Sequence, residues 1–209
     1  MIRKYRQLKF SLPKKKLLKQ KLLKQKILTE GKVLPGGILK VDGFLNHRID
    51  PQLSYEMAVE LKRLYEGAGV NKVLTIEASG IAMAVMAGYV FGCPVVFAKK
   101  SKTKNIAGDV WSVEIESFTH GNTNTVIVAK DYLGPEDRVL IVDDFLATGS
   151  ALIGLKGLVE QAGGTVIGAG IAIEKEFQNG GNELRAQGMC VESLAKIAAM
   201  TDTDIVFSE

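Results

Sequence analysis

The chain has 209 residues, 46% of them hydrophobic and 24% charged, with a mean hydropathy of +0.11; this suits one medium globular domain with a real core and excludes wholesale disorder or a fibrous fold. The net charge of +4 is unevenly spread: eleven Lys and Arg precede Thr29 with no acid among them, so the remaining 16 face all 23 Asp and Glu and the body carries −7. A whole-protein nucleic-acid binder is thereby disfavoured, because the basicity sits in a tail and not on a folded face.

Residues 1–28 form the basic segment, in which Lys-Leu-Leu-Lys-Gln occurs at 16–20 and again at 21–25. A five-residue step turns a helix by about 140°, so Leu17, Leu18, Leu22, Leu23, Ile27 and Leu28 do not keep to one stripe and make a poor membrane-surface helix. The expectation is a solvated, partly frayed extension, ordered as a helix only over residues 22–30. RNA or membrane-surface contact is the competing reading. Beyond Gly31, β-type and helix-type patterns alternate, with strands expected at 72–76, 94–98, 126–129, 138–142 and 166–173 and helices at 52–66, 80–91, 149–162 and 182–187. This order implies an α/β fold with a mainly parallel central sheet and helices on both faces. Residues 111–118 alternate apolar and polar side chains and, with 125–129 across a Gly121-Asn122 turn, suggest an antiparallel hairpin arm. A charge-free run over 78–98 is long enough to span a bilayer, but Gly80, Gly88, Gly92 and Pro94 divide it into a buried helix and a strand. Cys93 and Cys190 lack any paired spacing and are expected to be buried thiols of a reducing compartment. With no long linker, the body is expected to be one domain over 29–209, with small cap segments at about 29–50 and 174–209.

The strongest chemical signal is the apolar strand Val139-Leu140-Ile141-Val142 followed by Asp143-Asp144-Phe145-Leu146-Ala147-Thr148-Gly149-Ser150. In an open α/β sheet, ligands bind at the carboxyl ends of strands. Main-chain N–H groups of the Thr-Gly-Ser turn and the start of the next helix make a phosphate cradle, and Gly149 lets the backbone approach closely. Two carboxylates beside such a cradle would repel the anion unless they had another task. Hydrogen bonding to two vicinal sugar hydroxyls is that task, and the combination reads as a ribose 5-phosphate receptor; the bland alternative is an Asp pair that only caps a helix. No GxxxxGK[ST] exists, and Gly67-Ala68-Gly69 and Gly168-Ala169-Gly170 are misplaced for a dinucleotide fingerprint.

These residues resemble the phosphoribosyl-diphosphate loop of the type I phosphoribosyltransferases, and Glu77-Ala78-Ser79-Gly80 stands where that family has its diphosphate loop. Segments 39–47, 95–100, 173–178 and 191–195 resemble the bacterial xanthine-salvaging branch, with no large gap from about residue 17 to 207. Two departures stand out: Ala-Thr-Gly-Ser-Ala replaces the Ala-Asn-Gly-Gln-Ala of that branch at 147–151, and the tail upstream of Lys16 has no counterpart, as for an extension or an early start codon. The resemblance implies a type I phosphoribosyltransferase fold with a small hood, and transfer of phosphoribose from phosphoribosyl diphosphate to xanthine, giving XMP and diphosphate. Guanine or hypoxanthine is the alternative acceptor; less favoured is a regulator that senses phosphoribosyl diphosphate and binds nucleic acid, for whose DNA-binding module the N-terminal segment is too short.

The roles implied are residue by residue. Asp143 and Asp144 hold the ribose hydroxyls and favour the developing cation. Ala147, Thr148, Gly149, Ser150 and Ala151 bind the 5-phosphate, and Ala78, Ser79, Gly80, Lys99 and Lys100 meet the diphosphate. Leu39, Asn46 and Lys175 meet the purine. Mg²⁺ is expected to be held mainly by substrate oxygens, with no protein metal ligands, since His47 and His120 share no metal spacing. The stretch 100–117, with Lys102, Lys104 and Gly108, matches the loop that closes over the site in this family. No general base is evident. A homodimer in the cytoplasm, without membrane or nucleic-acid partners, completes the expectation.

Overall fold

Helix and strand follow one another largely where the sequence pattern puts them. The computed structural model describes residues 13–100, 108–116 and 123–208. In chain order these are α1 (Pro13–Glu30), β1 (Lys32–Leu34), β2 (Ile38–Lys40), a π-helical turn (Asp42–Asn46), α2 (Pro51–Leu64), β3 (Lys72–Ile76), α3 (Ile81–Phe91), β4 (Val95–Ala98), β5 (Val110–Glu116), β6 (Thr123–Ala129), β7 (Arg138–Leu146), α4 (Ser150–Gln161), β8 (Thr165–Lys175), α5 (Gly180–Ala186), β9 (Val191–Met200) and β10 (Ile205–Phe207). Lys102, Lys104, Phe118 and the Gly121-Asn122 turn lie outside the described residues, as does the tail before Pro13.

The main sheet has the order β10-β9-β8-β7-β3-β4, parallel except for β10, which runs antiparallel to β9. β7 is buried on both faces, which is why it reads as an unbroken apolar run. Its alternate side chains feed two cores: Leu140 and Val142 join the layer with α2 and α3, while Val139 and Ile141 join the layer with α4. The β5–β6 hairpin packs on the second layer through Ile115, Val126 and Val128, and it hooks onto the sheet edge by paired backbone hydrogen bonds of 2.9 Å between Lys99 and Ile127.

Several expectations need correction. β7 runs on through Asp143 and Asp144 to Leu146, past the expected end at 142, so the two acids are held in extended strand geometry. β9 and β10, within the segment assigned to the cap, extend the main sheet. The helix near the N-terminus begins at Pro13, and its inner face belongs to the domain core: Leu23 and Ile27 are fully buried, four residues apart, whereas Leu22 and Leu28 are exposed. The pentad repeat scatters its apolar residues, and of the Leu22–Leu23 and Ile27–Leu28 pairs only Leu23 and Ile27 reach the core. Lys26 anchors this helix by donating to Asp50 at 2.6 Å, the residue whose carboxylate also caps α2 through Leu53 N–H. Both cysteines are free, but Cys190 is exposed and Cys93 only half-buried; Cys190 stands just before β9, after the turn at Gln187-Gly188, and so outside the sheet layers. Among the described residues no helix is long and apolar enough to cross a membrane, and 81–98 is helix then strand as expected.

Candidate active site

The carboxyl ends of β3 and β7 lie side by side in the sheet, so the loops that leave them share one cavity of about 330 Å³. Glu77, Ser79 and Lys100 line it from one side, Asp143, Asp144 and Phe145 from its floor, and residues 147–151 from the other. Ile115, Asn124 and Val126 of the hairpin form a further wall.

Asp144 is the hub of this cavity. Its Oδ1 accepts from Ser79 Oγ at 2.9 Å and its Oδ2 from Asn46 Nδ2 at 2.9 Å, so the diphosphate-loop candidate and a purine-site candidate converge on one carboxylate. Asp143 is buried to the same degree, and its Oδ1 accepts from the Asp144 N–H at 2.9 Å. Burial, and next the neighbouring Asp144 carboxylate, push Asp143 well above the ordinary carboxylate range. The pair therefore resists carrying two full negative charges, which lowers the repulsion an incoming phosphate would meet.

Gly149 adopts φ 87°, the left-handed region that a Cβ disfavours, and hands the chain to α4. No side chain among the described residues caps the first turn of α4, so its N–H groups and the positive end of its dipole face the cavity. Thr148 Oγ1 and Ser150 Oγ stand 3.2 Å apart across this turn. On the opposite wall the Glu77–Ala78 peptide is cis, and the Glu77 carboxylate accepts the Lys100 N–H at 2.6 Å, fixing the backbone from which the Lys100 side chain enters.

The residues named from sequence divide into two groups. Ser79, Lys100, Asp143, Asp144 and 147–151 line the common cavity; Ala78, Gly80, Lys99, Leu39, Asn46 and Lys175 do not. Lys99 lines a separate groove between β4 and β6, with Nζ 5.9 Å from the Phe97 ring centre. Lys175 leaves the end of β8 and donates to the Gly37 carbonyl at 2.9 Å, tying the β1–β2 turn to the sheet, and burial lowers its pKa. Leu39 is buried in β2 in the first core layer.

Three residues escape a reading of sequence. Phe145 lines the cavity and its ring centre is 5.9 Å from Lys175 Nζ, so it links the lysine to the site. Its place between the acid pair and the phosphate turn was signal enough to find it. Thr75 carries a buried hydroxyl with no partner among the described residues, beneath Gly80 and beside Asp143, but a Thr in a strand is indistinguishable from an ordinary β-former. Glu174 is the third: it is fully buried and accepts from Arg185 at 2.8 and 2.7 Å, and from Ser193 Oγ as well. Burial opposes its charge, yet the bonds from Arg185 and Ser193 prevail and hold it below the ordinary glutamate range. A folded-state value below the unfolded one gives a contribution that is present at neutral pH and is lost as pH falls through the folded value. The urea midpoint should therefore fall as the pH is lowered below the ordinary glutamate value of 4.5, and fall less in Glu174→Gln/Arg185→Met; equal falls would show that other carboxylates govern acid unfolding.

Comparison with known proteins agrees with this geometry. Residues 52–184 match the model of the phosphoribosyl transferase domain family. A xanthine phosphoribosyltransferase of Finegoldia magna is 49% identical over 86% of this chain and 95% of its own, and one of Lachnoclostridium phytofermentans is 52% identical over 84% and 90%. Among solved structures, adenine phosphoribosyltransferase of Thermoanaerobacter pseudethanolicus superposes with TM-score 0.62 at 28% identity, over 70% of this chain and 82% of that one. The Giardia lamblia enzyme in complex with 9-deazaadenine gives TM-score 0.71 at 23% identity, over 84% and 98%, a likeness of fold.

Proposed function

The chain belongs to the phosphoribosyltransferase family, and on that premise we propose that it is a purine salvage enzyme transferring the 5-phosphoribosyl group from phosphoribosyl diphosphate to xanthine. The observation that carries this reading is the single cavity in which an acidic pair, Ser79, Lys100 and the uncapped start of α4 meet. The 147–151 turn binds the 5-phosphate through main-chain N–H groups and the two hydroxyls. Asp144, with Asp143 behind it, holds the ribose hydroxyls and favours the cationic sugar of the transition state. The diphosphate lies between 78–80 and Lys100, with Lys99 reaching it only after leaving its groove. The N9 of the purine bonds to C1′ as the C1′–O bond to diphosphate breaks, the electron pair leaving with diphosphate and the N9 proton passing to solvent.

The residues fit Mg²⁺ in one form. Glu77, Asp143 and Asp144 line the cavity, yet no three metal-ligating side chains cluster among the described residues. Such a set suits an ion held mainly by diphosphate oxygens, with at most one or two carboxylates assisting. When bound, Mg²⁺ neutralises the leaving group.

Base choice follows from donors. The Lys175 ammonium donates only and suits the 6-oxo group of xanthine, guanine or hypoxanthine while opposing the 6-amino group of adenine. Asn46 donates to the 2-oxo group of xanthine, once released from Asp144, and Leu39 packs against the purine. Steady-state kinetics with xanthine, guanine, hypoxanthine and adenine test the assignment, and a highest kcat/KM for adenine would overturn it. Lys175→Ala should lower kcat/KM for xanthine by about 10- to 100-fold and for adenine much less. Equal losses for every base would remove Lys175 from specificity. A cytoplasmic location accompanies the reading, because a charged substrate and product do not cross a membrane unaided. A homodimer accompanies the reading, with exposed Phe97 on the β4 edge and Val85 and Tyr89 on α3 supplying apolar surface for it.

A further inference from the structure

The Glu174–Arg185 pair lies outside the cavity and takes no part in the chemistry above, yet it is built at some cost. A fully buried carboxylate must be compensated by good geometry, and an apolar pair of equal volume would commonly serve stability as well. What the pair touches suggests its use. Arg185 is on α5, whose Gly180 and Leu184 approach the phosphate turn. A Cβ on Gly180 would stand 2.3 Å from the Thr148 carbonyl carbon, 2.4 Å from Ala147 O and 2.6 Å from Gly149 N, and one on Gly149 would stand 3.1 Å from Leu184 Cδ1. At the other side of α5, a Cβ on Gly181 would fall 2.0 Å from Glu174 Oε1. The helix is thus wedged between the carboxylate and the back of the turn, with no slack in either direction. Arg185 Nε also donates to Val191 O at 3.0 Å, so α5, β8 and β9 are locked at one point.

We propose that the Glu174–Arg185 pair positions the 5-phosphate turn: it seats α5, and Gly180 and Leu184 hold Ala147–Gly149 in the conformation that aims their N–H groups at the phosphate. These are positioning residues, acting through backbone contact. The bidentate fork fixes both the distance and the rotation of α5, which an apolar contact would leave free to slide.

The inference rests on the assignment of 147–151 to the 5-phosphate, and the test keeps the two apart. Ribose 5-phosphate and phosphoribosyl diphosphate are titrated calorimetrically into the full chain at 25 °C, and KM is measured for both substrates. If the parent binds neither ligand, the assignment itself fails. Given binding, Glu174→Gln/Arg185→Met, which leaves no orphan charge, should weaken both ligands by about tenfold or more, with KM for xanthine within about twofold. Arg185→Lys, which keeps charge but loses the fork, should weaken them by about three- to fivefold and keeps the test alive if the double variant does not fold. Leu61→Val, a comparable destabilisation in the opposite core layer, should lower Tm and leave both affinities unchanged. Parent-like phosphate affinity in the pair variants, or an equal loss in Leu61→Val, would overturn the proposal by reducing the pair to general stability.

Discussion

Asp144→Asn is expected to lower kcat by about 10²- to 10³-fold, the loss usual when one preorganised electrostatic group is removed from a transition state that develops charge. The substitution keeps shape and removes two things. It takes away the negative charge nearest the ribose, and it replaces one accepting oxygen by an NH₂ that cannot accept from either Asn46 or Ser79, both of which now donate to this carboxylate at 2.9 Å. Ser79 Oγ can instead accept from that NH₂ while the remaining oxygen accepts from Asn46, so both loops can stay in place and the lost charge carries the effect. The neighbouring acid responds as well: Asp144 is the second largest reason, after burial, that Asp143 sits above the carboxylate range, so Asp143 should ionise more readily in the variant. Steady-state kinetics together with circular dichroism separate lost chemistry from lost fold. A folded variant within about tenfold of the parent would move the sugar-binding role elsewhere in the cavity.

How much of this was legible beforehand depends on the residue. The β7 run announced itself, because a strand buried on both faces reads as a near-continuous apolar run; the acids that interrupt that run therefore stood out, though the strand carries both of them to Leu146. The phosphate turn was visible because its geometry demands a glycine at one position, and Gly149 is that residue with φ 87°. Tertiary pairings left no such trace. That Asn46 bonds to Asp144 across 98 residues, that Lys175 spends its ammonium on Gly37, and that Lys99 faces a different groove from Lys100 are consequences of where separate loops meet. α1 shows the same limit in its packing: a pentad repeat gives no stripe, yet Leu23 and Ile27 fill a gap over the first core layer that exists only once α2 and β9 are in place.

The same dependence on packing makes Gly80→Ala the other severe substitution. Gly80 has φ −69° and ψ −18°, which any residue adopts, so backbone freedom is not the issue. Space is. A Cβ there would lie 2.3 Å from Thr75 Oγ1 and 2.8 Å from Asp143 Oδ1. Neither atom can retreat easily, because Thr75 is wholly buried in β3 and Asp143 Oδ1 is held by the Asp144 N–H. The β3–α3 loop must therefore lift away from the end of β7 and carry Ser79 off Asp144. Overpacking of this kind costs about 1–3 kcal/mol, and a displacement on the order of 1 Å in a substrate-positioning loop costs about 10²-fold in kcat/KM. Removing the hydroxyl beneath it gives a sharper check. Thr75→Ala/Gly80→Ala relieves the nearer clash but not the one with Asp143, so it should recover most of the stability of Gly80→Ala and only part of the activity. Urea midpoints and kcat/KM across the four proteins of this cycle measure both couplings. Additive effects in the cycle would mean that Gly80 and Thr75 do not press on one another, and that the loop is held to the acid pair by Ser79 alone.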